Sequence, residues 1–236
     1  MPTGPKYPNQ QLRSVSLETY FPGRLSVYGV LGEIQASVER TLPNLFVPNL
    51  QPGEPAALRP FQMRDAAQQR SLAVAVNQVT FVTFKYPGHE SFIDEALPIV
   101  SAALDRIRPP TLNKVVYRYE NEVGIARDEA KGLAVDVTFP GVVPGVFGGK
   151  QSRAINAAYE HGWNANGLQG AHGFHARTED EGGVMVFKVT VFGSVEGCEI
   201  SHLATATKEA HRVGLELFEA LISPGFRDFI SSTKGE

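Results

Sequence analysis

Apolar and polar positions alternate from the start of the readable pattern. Arg13, Val15, Leu17, Thr19 and Phe21 fall on one side, and Ser14, Ser16 and Glu18 on the other, which predicts a half-buried strand ended by Pro22-Gly23. Val27, Val30, Leu31, Ile34, Val38 and Leu42 then recur at helical spacing, and Pro43 closes that helix. Asn44 to Pro60 is proline-rich and reads as an irregular crossing. Short strands follow at Phe61 to Arg64, around Leu72, Val74 and Val76, and around Phe81, Val82 and Phe84, with Asn77-Gln78 as a turn. Phe92, Ala96, Ile99, Val100, Ala103 and Ile107 define an amphipathic helix ending before Pro109-Pro110. KVVYRYENEV, Lys114 to Val123, is rich in aromatic and β-branched residues and predicts a strand.

The second half is plainer. LAVDVTF, Leu133 to Phe139, reads as a strand, Pro140 to Gly149 as a loop and Ser152 to Glu160 as a short helix. Leu168 to Thr178 and Val184 to Ser194 predict a hairpin. Leu203, Ala206, Ala210, Val213, Leu217, Phe218 and Leu221 trace the longest helix, with Ser201 as its N-cap and Pro224-Gly225 as its stop. Antiparallel strands with two or three long helices make an α+β class. The expected layout is an extended lead-in over residues 1–10, an α+β lobe over 11–124 and a second over 132–230, either as two β-α-β-β-α-β-like lobes or as one continuous domain.

Composition narrows the functions. With 236 residues, 42% hydrophobic and 20% charged, the chain has enough apolar material for a sizeable core. A formal net charge of −3 offers no overall basic balance for coating nucleic acid. A single cysteine, Cys198, excludes an intrachain disulfide, and no stretch has the length of a membrane span. The N-terminus also lacks an apolar signal core, so a cytoplasmic protein is expected.

Candidate chemistry concentrates in HGWNANGLQGAHGFHARTED, which holds His161, His172, His175 and the only tryptophan, Trp163. His172 and His175 have a spacing that would suit a metal on a helix. Phe174 and Ala176 set a two-residue period instead, so the two imidazoles should point to opposite faces and no metal site is expected. Trp163 with His161, placed on a loop before the strand, is the kind of anchor found at interfaces. The Gly141–Lys150 loop lacks P-loop spacing, there is no G-x-S-x-G elbow, and carboxylates flank Cys198, so neither a cofactor nor a catalytic set is advertised. On Lys114–Val123, Tyr117, Tyr119 and Asn121 share one face. Arg118 lies with Glu120 and Glu122 on the other, as a cross-strand salt-bridge partner or an anion-binding arginine.

Three stretches, YPNQQLRSVSLETYFPG, VYRYEN and KEAHRVGLELFEALISPGFRDFI, fall in an order and at distances that resemble a sporadically distributed family of bacterial and archaeal proteins. Arg118, Tyr119 and Asn121 match its central strand motif. His211, Phe218 and Glu219 match its C-terminal helix, and Ser223 replaces the usual Thr. The family carries no established activity, and its patchy distribution implies an accessory role in mobile or defence-associated systems.

The sequence therefore predicts a non-catalytic binding module that is a homo-oligomer or binds a protein partner. Trp163, His161, His172, His175, Arg118, Asn121 and His211 are its candidate binding residues. One alternative is an enzyme using His161, His172 and His175 with Glu179 or Asp180. The other is single-strand nucleic-acid binding on Tyr117, Tyr119, Phe81 and Phe84.

Overall fold

The computed structural model describes residues 12–46, 60–125, 156–181 and 184–231. The expected lead-in over 1–10, the strand at Leu133–Phe139, the Gly141–Lys150 loop and residues 232–236 of the tail lie outside the described residues. The class is α+β: a nine-stranded antiparallel sheet carries helices on one face. Its strands are β1 (Leu12–Tyr20), β2 (Asn44–Phe46), β3 (Phe61–Asp65), β4 (Arg70–Ala75), β5 (Gln78–Thr83), β6 (Leu112–Ile125), β7 (Asn156–Ala165), β8 (Leu168–Glu181) and β9 (Val184–Cys198). They lie in the order β2-β3-β4-β5-β1-β6-β9-β8-β7, so strands from the two halves of the chain meet where β6 pairs with β9.

The helices are α1 (Val27–Val38), α2 (His89–Ile107), α3 (Leu203–Leu221) and the short α4 (Pro224–Ser231). The period-two pattern decides which face they cover. Val15 and Leu17 of β1, Leu72 and Val74 of β4, Val79 and Phe81 of β5 and Val115 and Tyr117 of β6 are all fully buried. They form one core with Ile34 of α1, Phe92 and Val100 of α2, and Ala206 and Ala210 of α3. α1 packs on α2, α2 on β5, and α3 on β9, β6 and β8.

Three sequence expectations are corrected. Asn44, read as the start of an irregular crossing, opens the short edge strand β2. Residues 156–160, read as the end of a helix, belong to β7. Nothing in NAAYEHGWNA is β-branched, so intrinsic strand propensity is low there, and pairing along β8 decides the conformation. Ser201 is not the N-cap of α3. A 3-10 turn over Ile200–His202 precedes the helix, His202 takes the cap position, and Ser201 Oγ donates to Glu199 at 3.2 Å.

Candidate functional site

The β7–β8 hairpin turns on Asn166 and Gly167, whose φ values of 55° and 76° suit a two-residue connection between twisted strands. The register sets Tyr159 opposite Phe174, His161 opposite His172 and Trp163 opposite Gly170, and the two-residue period puts all of these on one face. The His161 and His172 rings lie 5.6 Å apart, and Tyr159 stacks at 6.4 Å from each and 5.8 Å from Phe174. Tyr159 is 44% exposed. Burial, and then the nearby His161, push the His172 pKa down, while Glu216 of α3 works against both.

Trp163 is a correction: it stands on β7 rather than on a loop. Its indole leans on the core, its Nε1 is buried without a hydrogen-bond partner among the described residues, and a Cβ at position 170 would come within 2.9 Å of its ring. Glycine at 170 leaves room for the ring and for the Ser194 carbonyl oxygen, which a Cβ would meet at 1.9 Å. Trp163→Ala should cost about 2 kcal/mol, below the range for a fully buried tryptophan because the ring is only half-buried. His175→Ala, at an exposed position, should stay within about 0.5 kcal/mol. Urea unfolding of both variants checks the contrast, and equal losses would contradict it.

His175 does not join the other two histidines. It is paired with Ala158 and Thr190 on the face opposite His172. The enzymatic alternative built on His161, His172 and His175 therefore lacks the convergence it requires. Among the described residues, no three His, Cys, Asp or Glu side chains gather closely enough to hold a metal ion.

His211 lies elsewhere, in a cluster that sequence reasoning missed. Tyr119 shares a hydrogen bond with His211 Nδ1. Tyr117 Oη lies 3.3 Å from Tyr86 Oη and 3.4 Å from His89 Nδ1. The His89 and His211 rings stack at 3.6 Å and 9°, bridging the start of α2 to the middle of α3. Parallel rings at that spacing cannot aim two in-plane lone pairs at one ion, so the pair is not a chelate. Burial pushes Tyr117 and Tyr119 well above the ordinary phenol range. Burial also lowers His89; Glu90 opposes the shift and Lys208 adds to it. The only sequence signals for Tyr86 and His89 are their positions beside Pro87-Gly88, where β5 gives way to α2.

The remaining candidates are engaged in the sheet. Arg118 grips Glu18 with two bonds, Nε to Oε1 at 2.6 Å and Nη2 to Oε2 at 3.1 Å, so it acts as the cross-strand partner. Asn121 is buried and donates to the Val189 carbonyl at 3.3 Å. Cys198 is buried and its thiol pKa is pushed up by that burial, which disfavours a nucleophilic thiolate. Tyr117, Tyr119 and Phe81 lie beneath the helices, and of the four aromatics proposed for base stacking only Phe84, 51% exposed, faces solvent. On α3, Glu219 accepts a hydrogen bond from Arg227 at 2.8 Å.

No described helix is long and apolar enough to cross a membrane. No family model matches the chain, and no curated protein matches it. Among solved structures the chain is similar to the di-domain ARO/CYC StfQ from the steffimycin biosynthetic pathway. The likeness covers 92% of this chain and 96% of that one at 10% identity and a TM-score of 0.20, too low to bear on function.

Proposed function

We propose that this protein is a binding module that works by association rather than turnover, and that the β7–β8 edge is the surface it uses. One observation carries the reading. Among the described residues β7 ends the sheet, as a ten-residue strand with exposed Tyr159 and His161, and it contains no lysine, arginine or proline. Sheets ordinarily blunt their edges with short strands, lysines, prolines or bulges, because exposed backbone donors and acceptors recruit another strand. The opposite edge follows that rule: β2 has three residues. β7 does not.

The imidazole–phenol cluster supports association over catalysis in a different way. Tyr86, Tyr117, Tyr119, His89 and His211 direct hydrogen bonds or ring contacts at one another, which suits a seam joining α2, α3 and β6. A reducing cytoplasm suits the single buried cysteine. The low basic content and the burial of most sheet aromatics leave a protein surface as the better-supported partner than a nucleic acid.

Sedimentation equilibrium across the micromolar range tests the reading. A mass above the single-chain 25.7 kDa, lowered by Tyr159→Lys, is the expected result. A mass that stays at 25.7 kDa throughout, together with no partner captured from the native host, removes it.

A further inference from the structure

We propose that His161 and His172 form an exchangeable binding site for one divalent transition ion of the nickel, copper or zinc type, with water completing its shell. The register of the β7–β8 hairpin sets the two residues directly opposite each other, on the face through which Trp163 meets the core. Whether two imidazoles can share an ion depends on their separation. An ion about 2.0–2.1 Å from a ring nitrogen lies roughly 3.2 Å from the ring centre, so two rings on one ion have centres up to about 6.4 Å apart. The centres of His161 and His172 are 5.6 Å apart and their planes are tilted by 31°. That separation is within the reach of one ion and wider than a stack. The His89 and His211 rings, face to face at 3.6 Å and 9°, fail the same criterion. His175 is excluded by its place on the opposite face.

The surroundings suit a cation held by neutral rings. Two opposed imidazolium groups would repel each other, whereas two neutral rings can each give a lone pair to the ion between them. Burial and the neighbouring His161 lower the His172 pKa, which keeps that ring in its ligating form near neutral pH. Glu216 of α3 adds negative potential at His172 while it accepts a hydrogen bond from Arg212 at 2.6 Å. Tyr159 lies 6.4 Å from both rings, and Trp163 follows two residues along the same face, so aromatic side chains flank the pair on either side. His172 is half-buried and fixes one arm of the site. His161 is exposed, so its ring can turn about χ2 to meet an ion arriving from solvent. Imidazole selects this class of ion over magnesium and calcium, which take oxygen ligands. Structural zinc sites use four protein ligands, so an ion on two exchanges more readily.

Titration calorimetry of the full chain with Ni2+, and electron paramagnetic resonance with Cu2+, test the site. Wild type should bind one Ni2+ per chain above the background set by a double variant, His161→Ala with His172→Phe, and Mg2+ should give no binding. Either substitution alone should bring Ni2+ binding down to that background, because a chelate is lost with the first ring. Phenylalanine keeps a ring in the half-buried position, and circular dichroism confirms that each variant folds. His175→Ala should bind as wild type does. The Cu2+ spectrum of wild type, which needs no variant, should show two coordinated imidazole nitrogens. Wild-type binding no tighter than that of the double variant overturns the site, as does binding that survives either single substitution or a Cu2+ spectrum with a single imidazole. Both rings belong to one chain, so the outcome is separate from that of the sedimentation test.

Discussion

Gly193→Val should destabilise the fold by about 3 kcal/mol, the upper end of the usual cost of overpacking. Gly193 lies on β9 where α3 crosses it. A Cβ there would sit 2.0 Å from the Ala210 carbonyl oxygen, 2.6 Å from Val213 Cγ2 and 2.7 Å from the Gly214 nitrogen. Two of those atoms are backbone and cannot swing aside. Gly214 completes the contact from the helix side, since a Cβ on it would come within 2.9 Å of the Gly193 nitrogen. A valine therefore has to lift α3 from the sheet, which also draws His211 away from Tyr119. Urea unfolding monitored by circular dichroism reads the loss. Gly32→Ala is the matched control: it lies within α1 with nothing within 4 Å of the added carbon, and it should raise stability by about 0.5 kcal/mol or more through lower unfolded-state entropy. A Gly193→Val protein as stable as the wild type would mean that α3 does not sit against β9 in this way.

Glu18→Gln should cost about 2 kcal/mol near neutral pH, and the cost should shrink in acid. The carboxylate is 6% exposed on the sheet face away from the helices. It accepts two bonds from Arg118, one from Ser16 Oγ at 2.9 Å and one from Tyr20 Oη at 2.7 Å. Removing one partner of a buried ion pair leaves the other charge stranded. The figure here is reduced from the fully buried case because the Arg118 side chain is 32% exposed and partly hydrated. Burial alone would raise the Glu18 pKa. The hydrogen bonds and charge of Arg118, with Tyr20 and Ser16, outweigh it and hold the group below its ordinary 4.5. A carboxylate with a lowered folded pKa contributes stability that is fully present above its unfolded value and is lost as pH falls through the folded one. Wild type and Glu18→Gln should therefore differ most near pH 7, and the gap should close as pH falls below 4.5 and through the lowered folded value. Urea midpoints of the two proteins across that range check the prediction, and a gap independent of pH would contradict it.

Local periodicity carried much of the architecture. Val15, Leu17 and Thr19 alternate with Ser14, Ser16 and Glu18 because one face of β1 meets the helices and the other meets Arg118 and its neighbours. Phe92, Ala96, Val100 and Ala103 repeat at helical spacing because α2 buries one stripe. Asn166-Gly167 reads in the sequence as a turn feeding the strand after it, and in the structure it joins β7 to β8, since few residue pairs take positive φ together at little cost. The same period placed His172 and His175 on opposite faces. Each of these features is set within a few residues, where backbone sterics and burial leave one solution.

Other features depend on residues far apart in sequence. β7 offered no strand signal of its own and owes its conformation to pairing with β8. Tyr86 and His89 looked like loop and helix-start residues until β6 and α3 brought Tyr117 and His211 beside them, 28 or more positions along the chain. The tight approach of Gly193 to Gly214 likewise cannot be read from either residue alone. The sequence by itself determined the α+β class, most of the elements and the faces of the strands it predicted, because repeating side-chain patterns encode local burial. Only the tertiary structure decided the strand order, the edge position of β7 and the gathering of imidazoles and phenols, because these follow from which distant segments pack together.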